Sequence, residues 1–97
     1  MAKGYLVVHL EVTDPQKFEE YRGKVPATIA QYGGSYLVRG GEMETLEGDP
    51  LPARTVVLEF PSVEQAKTWY HSPEYQAIVG LRLGASNGHA QIVEGAG

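Results

Sequence analysis

Tyr5-Leu6-Val7-Val8-His9-Leu10-Glu11-Val12-Thr13-Asp14-Pro15 is the stretch that decides the fold. Leu6, Val8, Leu10 and Val12 share one parity, and Tyr5, Val7, His9 and Glu11 share the other. A period of two predicts a strand. Asp14 then offers its side chain to free backbone N–H groups as a helix N-cap, and Pro15 suits the first helical position. Phe18, Tyr21, Val25, Ile29 and Tyr32 follow at spacings of three or four, so the next element is a helix with one apolar stripe. Pro26 is expected to kink it, because its ring crowds the carbonyl four residues back. Gly33-Gly34 ends it, with Gly33 suited to left-handed backbone.

Ser35 to Arg39 reads as a second strand, interrupted by a bend at Gly40-Gly41 and continued by Glu42 to Glu47. Gly48-Asp49-Pro50 carries turn chemistry, and Arg54 to Phe60 is a third strand. Ser62, with Gln65 three residues on, forms a capping box for a helix whose apolar face is Val63, Ala66, Trp69 and Tyr70. Ser72-Pro73 starts a further short helix through Tyr75, Ile78 and Val79. Gly84 to Gly88 reads as a loop and His89 to Glu94 as the last strand. The order is β-α-β-β-α-β, an α+β ferredoxin-like domain spanning residues 1–97. Right-handed crossovers place the first and third strands at the centre of a four-stranded antiparallel sheet, with the helices on one face.

Composition narrows the functions. A chain of 97 residues makes one domain and buries only about 60–70% of its unfolded surface, so covering more apolar area with a partner would help it. The net charge is −4, and the 8 basic residues are scattered along the sequence. No basic stripe is present to exchange counterions with phosphates, so nucleic acid is not an expected partner. Cysteine is absent, which rules out disulfides and thiolate chemistry and fits a reducing cytoplasm. The Tyr5–Val12 run, broken by His9 and Glu11, is too short and polar for a membrane span. His9, His71 and His89 lack metal-ligand spacing, and no Walker, GxSxG or dinucleotide motif implies a cofactor.

Leu6, Val8, Leu10 and Val12, joined by Val56, Leu58 and Phe60, belong under the helices. The opposite face carries Tyr5, Val7, His9, Glu11, Thr55, Val57 and Glu59, with Leu37 and Arg39 from the second strand and Gln91 and Val93 from the last. That face is too apolar for one left in water, and the same face of a second copy would cover it. His9 is the candidate proton carrier, since Glu11, Glu59 and Arg39 share its face. Arg39-Gly40-Gly41 pairs a planar donor fork with backbone that a ligand can approach closely, unless Arg39 is taken up by Glu59 or Glu11. Arg82 is a second anion candidate, or simply a cation at a helix C-terminus. Trp69, Tyr70, Ser72 and Tyr75 cluster where two helices meet and would wall an apolar pocket or pack the core.

The chain resembles the bacterial family known as domain of unknown function 1330. The resemblance rests on Lys3-Gly4-Tyr5, Val12-Thr13-Asp14-Pro15, Tyr32-Gly33-Gly34, Leu37-Val38-Arg39-Gly40-Gly41, Leu58-Glu59-Phe60-Pro61-Ser62, Trp69-Tyr70, Ser72-Pro73-Glu74-Tyr75 and Arg82. His71 stands where that family often has Asn. The resemblance implies a dimeric α/β-barrel fold and no activity, although relatives by fold include cofactor-free monooxygenases, haem enzymes and isomerases.

Three functions follow as expectations. The first is a homodimer that binds a small anionic or aromatic metabolite between helices and sheet, through Arg39, Arg82, Trp69, Tyr70 and Tyr75. The second is a cofactor-independent enzyme, monooxygenase-like or isomerase-like, with His9 moving a proton and Arg39 steadying negative charge. The third is a purely structural dimer.

Overall fold

In the computed structural model, which describes residues 2–51 and 54–97, β1 (Gly4–Val12), α1 (Pro15–Gln31), β2 (Ser35–Arg39), β3 (Arg54–Phe60), α2 (Val63–Tyr70), α3 (Pro73–Leu83) and β4 (Ser86–Glu94) follow in order. The four strands form one antiparallel sheet in the order β2-β3-β1-β4. The molecule is 16 Å deep along its shortest axis, enough for a sheet and one layer of helices. One sheet face is therefore covered and the other is open.

The helix ends form as their residues dictate. Asp14 accepts from the Lys17 N–H at 3.2 Å, and Pro15 follows it at a position where no N–H is needed. At the other end, Gly33 has φ +80°. The Gly34 N–H donates to Ile29 O at 2.9 Å and the Gly33 N–H to Ala30 O at 3.1 Å, a Schellman closure. Ser62 caps α2 through the Gln65 N–H at 3.0 Å, but the expected box is only half made. The Gln65 amide instead donates to Tyr32 O at 2.8 Å, tying α2 to the end of α1. Ser72 accepts from the Tyr75 N–H at 3.1 Å and donates to Trp69 O at 2.7 Å, so one hydroxyl ends α2 and starts α3.

Two boundaries differ from the sequence reading. Glu42 to Glu47 forms no strand; β2 ends at Arg39, and residues 40–51 run exposed. Gly40 turns the chain with φ +70°, and its N–H closes on Thr55 O at 2.9 Å. Ser86, Asn87 and Gly88 were read as loop but pair with Val12, Glu11 and Leu10. A partner strand running to Val12 outweighs their weak intrinsic preference.

Leu6, Val8, Leu10, Leu58 and Phe60 are buried under Phe18, Tyr21, Val25 and Ile29 of α1 and Trp69, Tyr75 and Val79 of α2 and α3. Trp69 is at the centre, its ring 4.1 Å from that of Tyr75 and 5.4 Å from that of Phe60. Its indole N–H is buried and needs an acceptor, and donates to Thr28 Oγ1 at 3.0 Å. The Thr28 hydroxyl in turn donates to Val25 O at 2.8 Å. Replacing Thr28 with Val keeps the volume and orphans the indole, so stability is expected to fall by about 1–3 kcal/mol. A lower urea midpoint at unchanged slope would show this; an unmoved midpoint would mean that the indole finds another acceptor.

Candidate functional site

Between α1, α3 and the covered face of the sheet lies a cavity floored by Leu6, Val8 and Leu10 and walled by Phe18, Tyr21, Tyr36, Trp69 and Tyr75. Its volume is about 50 Å³, and it opens to solvent. The chain has four arginines, Arg22, Arg39, Arg54 and Arg82, and all four line it. No aspartate or glutamate does, although the chain holds 12 acidic residues.

Each arginine arrives from a different element. Arg22 sits on α1 four residues after Phe18 and three before Val25, at the edge of the apolar stripe, and bonds Glu19 at 3.2 Å on the outside. Arg54 opens β3 opposite Leu10 and so shares the covered face; its guanidinium lies 5.2 Å from the Phe18 ring centroid. Arg39 lies 4.4 Å over the Tyr36 ring. Both distances are in the range of cation–π attraction. Arg82, near the end of α3, is only 9% exposed. Its Nε donates to the Tyr75 hydroxyl at 3.3 Å, and that hydroxyl meets the Tyr21 hydroxyl at 2.8 Å.

Arg39 was expected on the open face. The pairing of β2 with β3 slips between Tyr36, opposite Leu58, and Val38, opposite Val57, leaving Leu37 as the extra residue of a β-bulge. One inserted residue reverses the parity beyond it. Arg39 therefore stands opposite Val56 on the covered face, and Val38 takes the open one. No ion pair joins Arg39 to Glu59 or Glu11; Glu59 instead bonds Lys3 at 3.3 Å and the Tyr5 hydroxyl at 3.1 Å.

Of the other residues singled out from sequence, Trp69, Tyr75 and Arg82 line the cavity with Arg39. Tyr70 packs behind them, its ring 5.3 Å from that of Tyr75, and Ser72 is buried as the cap of α3. Gly40 and Gly41 lie outside the lining, although the Gly40 backbone rests over the Arg54 side chain. His9 is on the other face of the sheet, opposite Thr55 and His89, and its Nδ1 is 3.1 Å from Thr55 Oγ1. The geometry thus puts His9 and Arg39 on opposite sides of the sheet. Among the described residues no group of three or more His, Asp or Glu comes together as a metal site.

The family model described as domain of unknown function (DUF1330) matches residues 3–96. The chain belongs to the DUF1330 family. No protein of curated function matches this DUF1330 chain. Among solved structures, RPA0582 of Rhodopseudomonas palustris, a protein of unknown function, superposes with a TM-score of 0.74 at 14% identity, over 96% of this chain and 80% of that one. SnoaB of Streptomyces nogalater, a cofactor-independent oxygenase, gives a TM-score of 0.64 at 14% identity, over 96% of this chain and 92% of that one. At such identities the likeness establishes the fold alone, an α+β ferredoxin-like sheet with helices on one face. No helix among the described residues is long and apolar enough to cross a membrane.

Sequence reasoning missed Arg22, Arg54, Tyr21 and Tyr36 as members of one site. Strand parity carried the signal for Arg54, which alternates with Val56, Leu58 and Phe60, and the helical stripe carried it for Arg22.

Burial first, and then the Tyr75 hydroxyl beside it, push the Tyr21 hydroxyl far above the ordinary tyrosine range. Burial also raises Tyr36, against the pull of the Arg39 charge. The fold therefore favours neutral Tyr21, whereas the unfolded chain ionises it near pH 10. This contribution to stability is complete below pH 10 and declines as pH rises above it. Tyr21→Phe is accordingly expected to lose less stability than the wild type between about pH 9 and 11.5, measured by urea unfolding. Parallel declines in the two proteins would contradict the burial of this hydroxyl.

Proposed function

We propose that this chain binds a small anionic metabolite with an aromatic or apolar body in the cavity between helices and sheet. The observation that carries the reading is the gathering of all four arginines around a space with an apolar floor and no lining carboxylate. Arg22 is paired with Glu19 at 3.2 Å, but Arg39, Arg54 and Arg82 have no acidic partner among the described residues, and a bound anion would supply one. Arg39 and Arg54, stacked on Tyr36 and Phe18, offer flat donor forks that suit a carboxylate. Trp69 and Tyr75 supply an apolar wall for the rest of the molecule. Gly40, Gly41, Tyr70 and Ser72 support the lining from outside it.

The same reading includes a homodimer formed through the open sheet face, in the reducing compartment that a cysteine-free chain suits. Tyr5, Val7, His9 and Val57 are half-buried there with no layer above them, and Leu37, Val38 and Val93 are exposed at 53%, 39% and 45%. A second copy would bury this patch.

A second reading, an enzyme working without a bound cofactor, is favoured by one observation. The Tyr21 and Tyr75 hydroxyls line the cavity and can relay a proton between them, with the Arg82 guanidinium beside Tyr75 as a fixed positive charge, and in this reading the pair replaces His9. Its mark would be turnover lost in Tyr75→Phe with ligand binding kept.

Benzoate, as the simplest aromatic carboxylate, is expected to raise the melting temperature with the logarithm of its concentration above Kd. Arg39→Ala and Arg54→Ala are each expected to weaken benzoate binding about tenfold. No shift with any aromatic carboxylate would defeat the binding reading. Sedimentation at micromolar concentration is expected to give twice the 10.6 kDa chain mass, and Val57→Glu to return it to the single chain. Single chains throughout in the wild type would remove the dimer.

A further inference from the structure

Arg82 is only 9% exposed, yet among the described residues it has no acidic partner. A buried guanidinium without counter-charge is costly, and folded chains ordinarily pair it. Its one side-chain hydrogen bond is from Nε to the neutral Tyr75 hydroxyl. The two terminal nitrogens have no partner among the described residues. No fully buried side-chain nitrogen or oxygen among the described residues is left unsatisfied, so those two nitrogens keep access to free space. Arg82 lines the cavity.

The four arginines also differ in exposure. Arg39 is exposed, Arg22 and Arg54 are half-buried, and Arg82 is buried. A single acid group held by Arg39 and Arg54 would leave the Arg82 fork without a charged partner. We infer that the cavity takes a flat dianion, with one acid group on Arg39 and Arg54 and a second on Arg82 and the Tyr75 and Tyr21 hydroxyls. This rests on the binding reading above and narrows it to a substrate class: an unsaturated or aromatic body with acid groups at opposite ends. The second group accepts from the Arg82 terminal nitrogens, and the Tyr21–Tyr75 pair can turn one O–H toward it, since either hydroxyl can act as donor.

The test compares three probes by calorimetry on the whole chain: benzoate, terephthalate, and the monomethyl ester of terephthalate, which lacks the second charge and is longer by one methyl group. Terephthalate is expected to bind at least about tenfold more tightly than the monoester, from one added charge-assisted pair. Arg82→Gln is expected to erase that preference, so that terephthalate and its monoester bind that variant alike, and Arg82→Lys to restore part of it. Equal binding of terephthalate and its monoester would overturn the dianion and leave the binding reading standing. A preference that survives Arg82→Gln would overturn the role of Arg82. Failure of all three probes would defeat both. The comparison of terephthalate with its monoester uses wild-type protein alone, so it decides the matter even if an Arg82 variant does not fold.

Discussion

A strand can bury only every second side chain under a single layer of helices, and β1 commits Leu6, Val8 and Leu10 to that layer. Everything else in this domain is arranged around that commitment. The residues between them, Tyr5, Val7 and His9, have to face the other way. They leave a sheet with a half-apolar side that its own helices do not reach. The same alternation in β3 sends Val56, Leu58 and Phe60 inward and carries Arg54 with them. A charge thus enters the helix side because its strand position allows no alternative.

The helix layer does not fill the space it covers. Phe18, Tyr21 and Tyr75 meet at ring separations of 5.7 and 6.3 Å, and a gap remains between them and the sheet. Arginines from α1, β2, β3 and α3 line this gap. An interior assembled for stability alone would place carboxylates beside them or fill the gap with methyl groups. The acidic residues of this chain are elsewhere: Glu59 serves Lys3 and Tyr5 on the open side, and Glu74 is held by Tyr32 at 2.7 Å and Gln31 at 3.3 Å. Those donors, the Tyr32 hydroxyl first, keep the Glu74 carboxyl below its usual range. Of the four arginines only Arg22 has an acidic partner among the described residues, Glu19 at 3.2 Å.

Much of this was legible before any coordinates. Period two in β1 and β3, the Asp14-Pro15 and Ser72-Pro73 caps and the Gly33 stop fix the element order and the two central strands. Arg82, Trp69 and Tyr75 could be named because they fall on or beside helix stripes that meet. Arg39 could be named for its chemistry but not for its side, because the bulge at Leu37 has no marker in the residues themselves; Leu37 and Val38 are both good strand formers. His9 was drawn toward catalysis by its residue type, while the parity of its own strand already set it opposite the cavity. The convergence of four scattered arginines is a product of tertiary packing, and spacing along the chain does not display it.

The central claim is that an anion with an aromatic body occupies this cavity. Crystals grown with 4-bromobenzoate test it directly, because bromine can be located by its anomalous scattering. The account predicts one bromine peak inside the cavity beside Trp69 and Tyr75, with the carboxylate on Arg39 and Arg54. A peak on the open sheet face beside His9 and Val57, or none at a ligand concentration that saturates binding in solution, would contradict it.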